Sequence, residues 1–286
     1  MRRGQRIAPA TEGRDRRFDL VALDLDGTVL RRDQGIADRT VAAVGRLRAG
    51  GTRVVVATGR RFEGAGGHAA RLGLQPEDPI VCYGGAMVRR LGGETLLHRT
   101  LPRDLSVEFL RWASRRGLHA RVFTDGRIAL GPITARAAGH QRHPAGPGVL
   151  VVRSPARWLA EAGVEATKLA VADSPAGVEG WIREARETFA GRLFLARSHP
   201  DYVEVMSPGS TKSGALGFLW ERWGIDSSRV LAFGDADNDV DMLRFAGRGV
   251  AVGPTTAGVR EAADEVVPNV DEDGVALFVE DLLRGA

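Results

Sequence analysis

The chain of 286 residues predicts an α/β fold in which a doubly wound parallel sheet is interrupted by an inserted α+β module. Short apolar, β-branched runs alternate with helix-length segments at both ends of the chain. This alternation is typical of parallel strands joined by helices. The middle of the chain instead carries strand pairs separated by turn residues, together with further helices, which is typical of an α+β module.

The N-terminal part of the predicted sheet contains three strands. The first covers about residues 19–25, the second is the run "TRVVVATGR", and the third is "PIVCYGGAM". A helix with Val41, Val44 and Leu47 at helical spacing joins the first two strands, and a glycine-rich helix ending near "RLGL" joins the next two. This order predicts a Rossmann-like core whose first part covers residues 18–86.

The middle part, residues 87–206, is predicted to be a separate α+β cap. Its strand patterns are "AMVRRLGGETLLHRT", "HARVFTDGRIAL", "TKLAVAD" and the hairpin-like "GRLFLARSHPDYVEVM". Helices are expected at 103–116, 155–163 and 176–190. Mixed hairpins and helices of this kind do not continue a parallel sheet, so we expect a module inserted into the core.

The alternation of strands and helices resumes at residue 207 and continues to residue 286. A helix is predicted at 212–223, followed by the strand "RVLAFGD" and the helix "NDVDMLRFAG". The strand "GVAVG", the helix "GVREAAD", the short strand "EVV" and the helix "DGVALFVEDLL" complete the pattern. Residues 207–286 are therefore predicted to return to the core.

The net charge of the chain, +4, comes from a short N-terminal segment. Residues 1–17 contain six arginines against Glu12 and Asp15, so the remaining residues balance to zero. This composition predicts a disordered basic arm. A basic arm can contact nucleic acid, but a solvated tail is the simpler interpretation, and we predict no nucleic-acid partner.

Neither a membrane segment nor a disulfide is predicted. No run approaches the roughly eighteen apolar residues of a transmembrane helix, and the N-terminus lacks the apolar segment of a secretory signal. Cys82 is the only cysteine of the chain, which suits a reducing compartment. We therefore expect a cytoplasmic protein.

Unusual polar residues follow apolar strands or begin a helix at four places. These places are Asp24-Leu-Asp26-Gly-Thr28, Thr58-Gly59-Arg60, Lys212 in "GSTKSGAL", and the run from Asp235 to Asp239 in "GDADND". In open α/β sheets, ligands bind outside the carboxyl ends of the strands. Because all four places are expected at that edge, we predict that they form one site.

The residue types of the predicted site are suited to phosphoryl transfer. Four carboxylates would repel one another unless a cation is present, and oxygen ligands without histidine or cysteine favour Mg²⁺. Backbone N–H groups of the glycine-rich turns can hold a phosphate together with Thr58 and Lys212. One carboxylate can then attack phosphorus, and its neighbour two residues on can transfer the proton.

The motifs resemble those of the haloacid dehalogenase-like superfamily, and within it the Cof-like phosphatases. The resemblance rests on "DLDGTVL", "VVVATGR", "GSTKSGAL" and "GDADNDVDML" in this order, and it extends from about residue 18 to residue 284. It implies a Mg²⁺-dependent phosphatase with a Rossmann-like core and a cap over the site. The implied substrate is a small phosphorylated metabolite, such as a sugar phosphate, hydrolysed through an aspartyl-phosphate.

The resemblance also implies a role for each site residue. The nucleophile would be Asp24 and the general acid/base Asp26. The metal ligands would be Asp24, the carbonyl group of Asp26, and Asp235, with Asp239 in support. The phosphate would be bound by Thr58 and Lys212, and Asn238 would shape the site. From the residues themselves, the backbone of Gly59 is expected to bind the phosphate as well. Arg60 either contacts the substrate or pairs with an acidic neighbour, and a role at the rim of the site is favoured.

Some positions near this site remain open from the sequence. Gly84 and Pro254 stand where the family often has asparagine, so two amides are missing from the rim of the site. Lys168, one of only two lysines, begins a cap strand, where a structural role and a substrate-facing role are both consistent with the pattern. The loops 124–127 and 139–148 are candidate substrate contacts on the cap.

Parts of the sequence also resemble motifs of other functions. A calcium loop beginning at Asp235 would need glycine and glutamate at positions held by Val240 and Ala246, so this interpretation is rejected. The run "GAGGHA" loosely fits a dinucleotide motif but does not directly follow a strand. A phosphomutase and a non-catalytic protein that binds a phosphorylated ligand stay open as alternatives, although a binder has no need of the acid/base partner of Asp24.

Overall fold

The computed structural model describes residues 18–132 and 148–285. The predicted basic arm at 1–17 lies outside these residues, as does almost all of the predicted loop 139–148. Within the described ranges, no helix combines the length and the apolar composition needed to cross a membrane.

Strands are numbered in chain order over the described residues. They are β1 Leu20–Leu23, β2 Arg53–Ala57, β3 Pro79–Cys82, β4 Met87–Arg90, β5 Thr95–His98, β6 His119–Phe123, β7 Ile128–Leu130, β8 Val149–Val151, β9 Lys168–Ala172, β10 Phe194–His199, β11 Tyr202–Met206, β12 Val230–Gly234, β13 Arg248–Val252 and β14 Glu265–Val267. The helices are α1 Asp38–Ala49, α2 Phe62–Arg71, α3 Arg103–Arg115, α4 Pro155–Ala162, α5 Pro175–Thr188, α6 Lys212–Trp223, α7 Val240–Phe245, α8 Ala257–Ala262 and α9 Gly274–Arg284.

The larger sheet has the order β14-β13-β12-β1-β2-β3-β4-β5. Its first six strands are parallel, and β1 lies between β12 and β2 at the centre. Val21 and Leu23 face the core formed with α1, α2 and α9, whereas Leu20 and Ala22 face the core formed with α6, α7 and α8. A strand buried on both faces needs a continuous apolar run, which explains the sequence "LVAL". The predicted doubly wound α/β core is therefore confirmed.

The larger sheet also contains β4 and β5, which the sequence pattern predicts in the cap. The turn Tyr83–Gly85 follows β3 directly, and it returns the chain so that β4 pairs antiparallel with β3. The strand β5 then pairs with β4 at the edge of the same sheet. The core sheet therefore extends to His98, and the smaller sheet begins after it, so the boundary predicted at residue 87 does not separate the two sheets.

The smaller sheet has the order β10-β11-β9-β6-β7-β8 and forms the cap. The predicted hairpin is present as the antiparallel pair β10 and β11. One face of the sheet, which includes Leu169 and Val171, packs on α3, α4 and α5 through a cluster rich in aromatic side chains. Lys168 and Ala170 alternate with these residues, so they lie on the opposite face of the sheet, which is turned toward the larger sheet.

Candidate active site

The predicted polar motifs lie at the carboxyl edge of the larger sheet. Asp24 directly follows β1, Thr58 follows β2, and Asp235 follows β12. Lys212 is the first residue of α6, whose N-terminus is capped by Thr211, because the Thr211 hydroxyl accepts a hydrogen bond from the N–H of Gly214 at 3.0 Å. Parallel strands end at the same edge, so residues far apart in the sequence meet here.

Three carboxylates form a cluster at this edge. Asp24, Asp235 and Asp239 each place one carboxylate oxygen within 4.8 Å of an oxygen of the other two. Asp24 and Asp239 are buried. Burial raises the pKa of Asp24 well above its usual range, although Lys212 opposes this effect. Burial and the neighbouring Asp239 likewise raise the pKa of Asp235 to about 6.

Lys212 lies between two of these carboxylates. Its Nζ donates hydrogen bonds to Oδ1 of Asp24 and to Oδ1 of Asp239, and its side chain is 1% exposed. Burial alone would lower the pKa of Lys212, but Asp239 and Asp24 together raise it above its usual value. The ammonium is therefore a fixed positive charge beside the carboxylate predicted to be the nucleophile.

The cluster fits a hard divalent cation. Three buried or half-buried carboxylates face a single ammonium, which leaves an excess of negative charge in a region of low dielectric. A cation with oxygen ligands would compensate this charge, and Mg²⁺ is bound in proteins by one or two carboxylates together with water and substrate oxygens. The oxygen-only donor set is thus compatible with the predicted magnesium site.

Two glycines allow the acidic loops to approach one another. Gly27 has φ of +86°, and a β-carbon at this position would overlap the carboxylate of Asp235. A β-carbon on Gly234 would overlap the side chain of Asp239. Oδ2 of Asp239 in turn accepts hydrogen bonds from the N–H groups of Asp235 and Ala236, both at 3.1 Å. The backbone therefore brings the first and last predicted motifs into contact.

The carboxylate of Asp26 lies apart from the three clustered carboxylates. Its two oxygens accept hydrogen bonds from Nε and Nη2 of Arg60, at 2.8 and 2.6 Å, and its side chain is 54% exposed. The carboxylate is therefore held at the mouth of the site by Arg60. The carbonyl group of Asp26, which the family resemblance assigns to the metal, keeps that role as a prediction.

The remaining predicted residues surround the same region. Thr58 is fully buried, and its hydroxyl accepts a hydrogen bond from the N–H of Arg60 at 3.1 Å. Gly59 and Asn238 line a cavity that also contains Asp24 and Asp235. The structure thus brings all the predicted site residues to one edge of the sheet, while their chemical roles stay predictions.

The cavity lies between the larger sheet and the cap, and its volume is about 1190 Å³. The core residues that line it include Asp24 and Arg60, while the cap contributes the side chains of Arg121, Phe123, Lys168, Arg197, Tyr202 and Glu204. Of these six, only Lys168 was a candidate from the sequence, with a structural role as the alternative, and the other five were not predicted. For Arg121 and Glu204 a signal was present, because each is a charged residue between apolar ones, in "HARVF" and "YVEVM". The candidate loop 124–127 does not contribute to this lining.

The structure is thus a capped α/β core with an acidic cluster at the carboxyl edge of its parallel strands. Residues 21–279 match the sequence profile of the haloacid dehalogenase-like hydrolases. Because this match covers most of the chain, the protein belongs to the haloacid dehalogenase-like hydrolase family.

Two curated proteins are similar to this chain along most of its length. A Bacillus subtilis (strain 168) protein, 5-amino-6-(5-phospho-D-ribitylamino)uracil phosphatase YitU, is 29% identical over 277 residues, which cover 92% of this chain and 96% of that protein. An HMP-PP phosphatase of Klebsiella pneumoniae (strain 342) is 29% identical over 236 residues, which cover 82% and 84%. Similarity over nearly full length indicates that core and cap are shared.

A solved structure has the same fold. The crystal structure of a haloacid dehalogenase-like hydrolase from Bacteroides thetaiotaomicron matches with a TM-score of 0.78 and 25% identity. The match covers 93% of this chain and 100% of that one. The predicted fold class and family are therefore both confirmed.

Proposed function

We propose that this protein is a Mg²⁺-dependent phosphomonoesterase that hydrolyses a small phosphorylated metabolite through an aspartyl-phosphate. The observation that carries the proposal is the placement of Lys212 between Asp24 and Asp239, with Asp235 completing the acidic cluster at the floor of a large cavity. In this proposal Asp24 serves as the nucleophile, Lys212 as a fixed positive charge and the acidic cluster as the cation site, all within one small volume.

In the proposed first step, a carboxylate oxygen of Asp24 attacks phosphorus, and the bond from phosphorus to the leaving oxygen breaks. Asp26 gives its proton to that oxygen, so the product leaves as a neutral alcohol. In the second step a water molecule attacks phosphorus and Asp26 takes up its proton. The bond from phosphorus to Asp24 then breaks, which releases inorganic phosphate and restores the carboxylate.

Two groups of residues support the transferring phosphoryl group in this proposal. Thr58, the backbone at Gly59 and the Lys212 ammonium hold its oxygens and offset their charge. Asp24, Asp235 and the carbonyl of Asp26 would hold Mg²⁺, with Asp239 in support. When bound, this ion supplies charge neutralisation for the phosphoryl oxygens and orients them toward Asp24.

The relatives support a small phosphorylated substrate. Both curated relatives are named phosphatases of small metabolites, and the sequence match to each extends over core and cap. A cavity of about 1190 Å³ is large enough for a metabolite of that kind. We also expect the cytoplasm as the location, since the single cysteine, Cys82, is a buried free thiol.

The proposal is tested by measuring the hydrolysis of p-nitrophenyl phosphate with Mg²⁺. Chelation of the metal and the Asp24→Asn substitution should each reduce the rate by at least about 10³-fold. Asn has the shape of Asp, and Lys212 keeps its bond to Asp239, so the variant should fold. Asp104→Asn, an exposed site at the start of α3, is the matched control and should keep the wild-type rate.

Turnover retained in Asp24→Asn would contradict the covalent mechanism. A panel of phosphorylated metabolites then identifies the substrate by the release of inorganic phosphate. Transfer of phosphate within a sugar, without release, would instead identify a phosphomutase. Binding without either reaction would identify a non-catalytic protein.

A further inference from the structure

A buried ion pair on the cap lies in the cavity and has no part in the chemistry proposed above. Lys168 begins β9 and Glu204 lies on the adjacent strand β11. Their side chains form a salt bridge, and each is only 4% exposed. Both residues line the same cavity as Asp24 and Asp235. The pair therefore faces the cavity that a substrate of the proposed reaction would enter.

The pair also contacts the core. Nζ of Lys168 donates one hydrogen bond to Oε1 of Glu204 and another to the carbonyl oxygen of Gly59, at 2.9 Å. Gly59 lies between Thr58 and Arg60 in the loop that is proposed to hold the phosphate. Since an ammonium has three N–H donors, Lys168 retains one N–H beyond these two bonds.

Two acceptors in this region have no hydrogen-bond partner among the described residues. They are Oε2 of Glu204 and Oδ1 of Asn238, and both are buried. A β-carbon on Gly59 would lie 3.8 Å from the Glu204 carboxylate oxygens and 3.9 Å from Nδ2 of Asn238, so both side chains flank the same glycine. Leaving a buried acceptor unpaired costs about 1–3 kcal/mol, and more for a charged group. Such acceptors in a cavity wall are suited to a ligand that donates hydrogen bonds.

The available partners define the chemistry of that ligand. An alkyl or aryl group placed against this pair would leave Oε2 of Glu204 unpaired. A hydroxyl group can donate to Oε2 of Glu204 and accept from the remaining N–H of Lys168. Phe123, whose ring centroid lies 5.1 Å from Nζ of Lys168, adds an apolar surface beside the pair. The pair therefore favours a hydroxylated leaving group.

We propose that Glu204 and Lys168, together with Asn238, form a specificity subsite that recognises hydroxyl groups of the leaving alcohol. The preferred substrate is then a phosphomonoester of a polyhydroxylated alcohol. This inference rests on the proposed phosphatase function and adds the residues that select its substrate.

The test compares sorbitol 6-phosphate with n-hexyl phosphate. The two esters have the same chain length, and the first carries a hydroxyl on every carbon that could reach the subsite. The ratio of their kcat/KM values should be at least about tenfold in favour of sorbitol 6-phosphate for the wild-type protein, because an unpaired polar site discriminates against an analogue that lacks the hydroxyls.

The decisive variant is the double substitution Lys168→Met and Glu204→Leu. It removes both charges together, and replacing a buried ion pair with apolar residues of similar volume is often neutral for stability. The kcat/KM ratio should fall at least about tenfold and approach one. The matched control is Arg192→Met with Glu108→Leu, an exposed salt bridge on the cap outside the cavity lining, and it should keep the wild-type ratio.

Each outcome decides the proposal. A wild-type protein that hydrolyses p-nitrophenyl phosphate but shows no preference for sorbitol 6-phosphate would overturn the subsite alone. So would a folded double variant, checked by circular dichroism, that keeps the wild-type ratio. If the double variant does not fold, Glu204→Gln takes its place, with an expected fall of at least about threefold, and an unchanged ratio would again reject the subsite. Absence of hydrolysis of all three esters by the wild type would instead reject the phosphatase function.

Discussion

Arg60 holds the carboxylate of Asp26 through two hydrogen bonds, from Nε at 2.8 Å and from Nη2 at 2.6 Å. The same Nη2 also donates to Oε1 of Gln34 at 2.5 Å, so the guanidinium is itself fixed. The residue proposed to transfer the proton is therefore oriented by a neighbour from the second predicted motif. The ion pair is also half-open to solvent at the mouth of the cavity.

Substitution of Arg60 is expected to slow the proposed reaction without abolishing it. Arg60→Met should lower kcat for p-nitrophenyl phosphate about 3- to 30-fold, because Asp26 loses its fixed orientation. Asp26→Asn should have a larger effect, about 10²- to 10⁴-fold, because the proton transfer itself is lost. Steady-state kinetics of the two variants measure both values.

The control for Arg60→Met is Arg48→Met, because Arg48 has a similar exposure and its ion pair with Asp78 lies away from the cavity. It should leave kcat at the wild-type value. A wild-type kcat for Arg60→Met would show that Asp26 does not depend on this ion pair, and a wild-type kcat for Asp26→Asn would reject its acid/base role.

Removal of the Lys212 ammonium is expected to affect both stability and activity. Lys212→Met leaves Asp24 and Asp239 buried without their shared partner, so the free energy of unfolding in metal-free buffer should fall by about 3–5 kcal/mol. Added Mg²⁺ should recover part of this loss, while hydrolysis stays at least about 10²-fold below the wild-type rate. Urea unfolding with and without Mg²⁺ provides the measurement.

Arg222→Met is the control for this prediction, because Arg222 is an exposed residue near the other end of α6. It should change neither the stability nor the rate. Equal stability of Lys212→Met and the wild type in metal-free buffer would mean that the two carboxylates do not need the ammonium.

Protons should compete with the metal at Asp235. Burial and Asp239 raise the pKa of Asp235 to about 6, so this carboxylate takes up a proton as the pH falls through that value. The metal then has to displace one proton, and the Mg²⁺ concentration for half-maximal hydrolysis should rise by up to about tenfold for each pH unit below 6. Mg²⁺ titrations of the activity between about pH 5 and pH 8 measure this dependence. A half-saturating concentration that stays constant below pH 6 is the contrary result.

The same pKa predicts how pH affects the stability of the metal-free protein. The folded state binds the Asp235 proton more tightly than the unfolded chain does, since the pKa is about 6 in the fold against 3.8 for a free side chain. The free energy of unfolding therefore loses this contribution as the pH rises through that window. In the presence of chelator, the melting temperature of the wild type should decline more steeply with rising pH than that of Asp235→Asn. Identical pH profiles of the two proteins would contradict a raised pKa of Asp235.

A single glycine sets the distance between the turn after β3 and the start of α6. Gly85 has φ of +107°, and a β-carbon there would overlap the carbonyl group of Thr211, next to Lys212. Gly93 has a similar φ of +103° but open space around it. Gly93→Ala should therefore lower the free energy of unfolding by about 1–3 kcal/mol from backbone strain alone.

Gly85→Ala should lower the free energy of unfolding by about 1–3 kcal/mol more than Gly93→Ala does, because its β-carbon would also overlap Thr211. Only this variant should also lose activity, since α6 and Lys212 would have to move. Thermal unfolding and hydrolysis assays of the two variants give the comparison. Equal losses in stability would show that the overlap is relieved elsewhere.

The sequence was sufficient to predict the core and the meeting of its motifs. The apolar runs before Asp24, Thr58 and Asp235 predict parallel strands, and parallel strands bring their carboxyl ends to one edge. The partners of β4 and β5 could not be predicted in the same way. Their pattern predicts strands, but the choice of sheet depends on the turn at Tyr83–Gly85, where Tyr83 and both glycines have positive φ.

The cavity-facing residues of the cap were also beyond the sequence. Strand alternation separates Glu204 from Val203 and Val205, but it does not say which face packs on helices and which faces the core. That choice follows from the packing of the aromatic side chains of α3 and α5 against the other face. For Arg60 the sequence left two alternatives open, a contact with the substrate and an ion pair with an acidic neighbour, and it could not say that Asp26 is the carboxylate within reach.

The central position of β1 between β2 and β12 has a consequence for synthesis on the ribosome. Leu20 to Leu23 pair with Arg53 to Val56 early, but their other neighbours, Val230 to Phe233, are translated only after the whole cap. Until then one edge of the nascent sheet has free backbone donors and acceptors, which is a template for intermolecular association. Chaperone dependence should therefore peak while the cap is being translated and end once β12 leaves the exit tunnel.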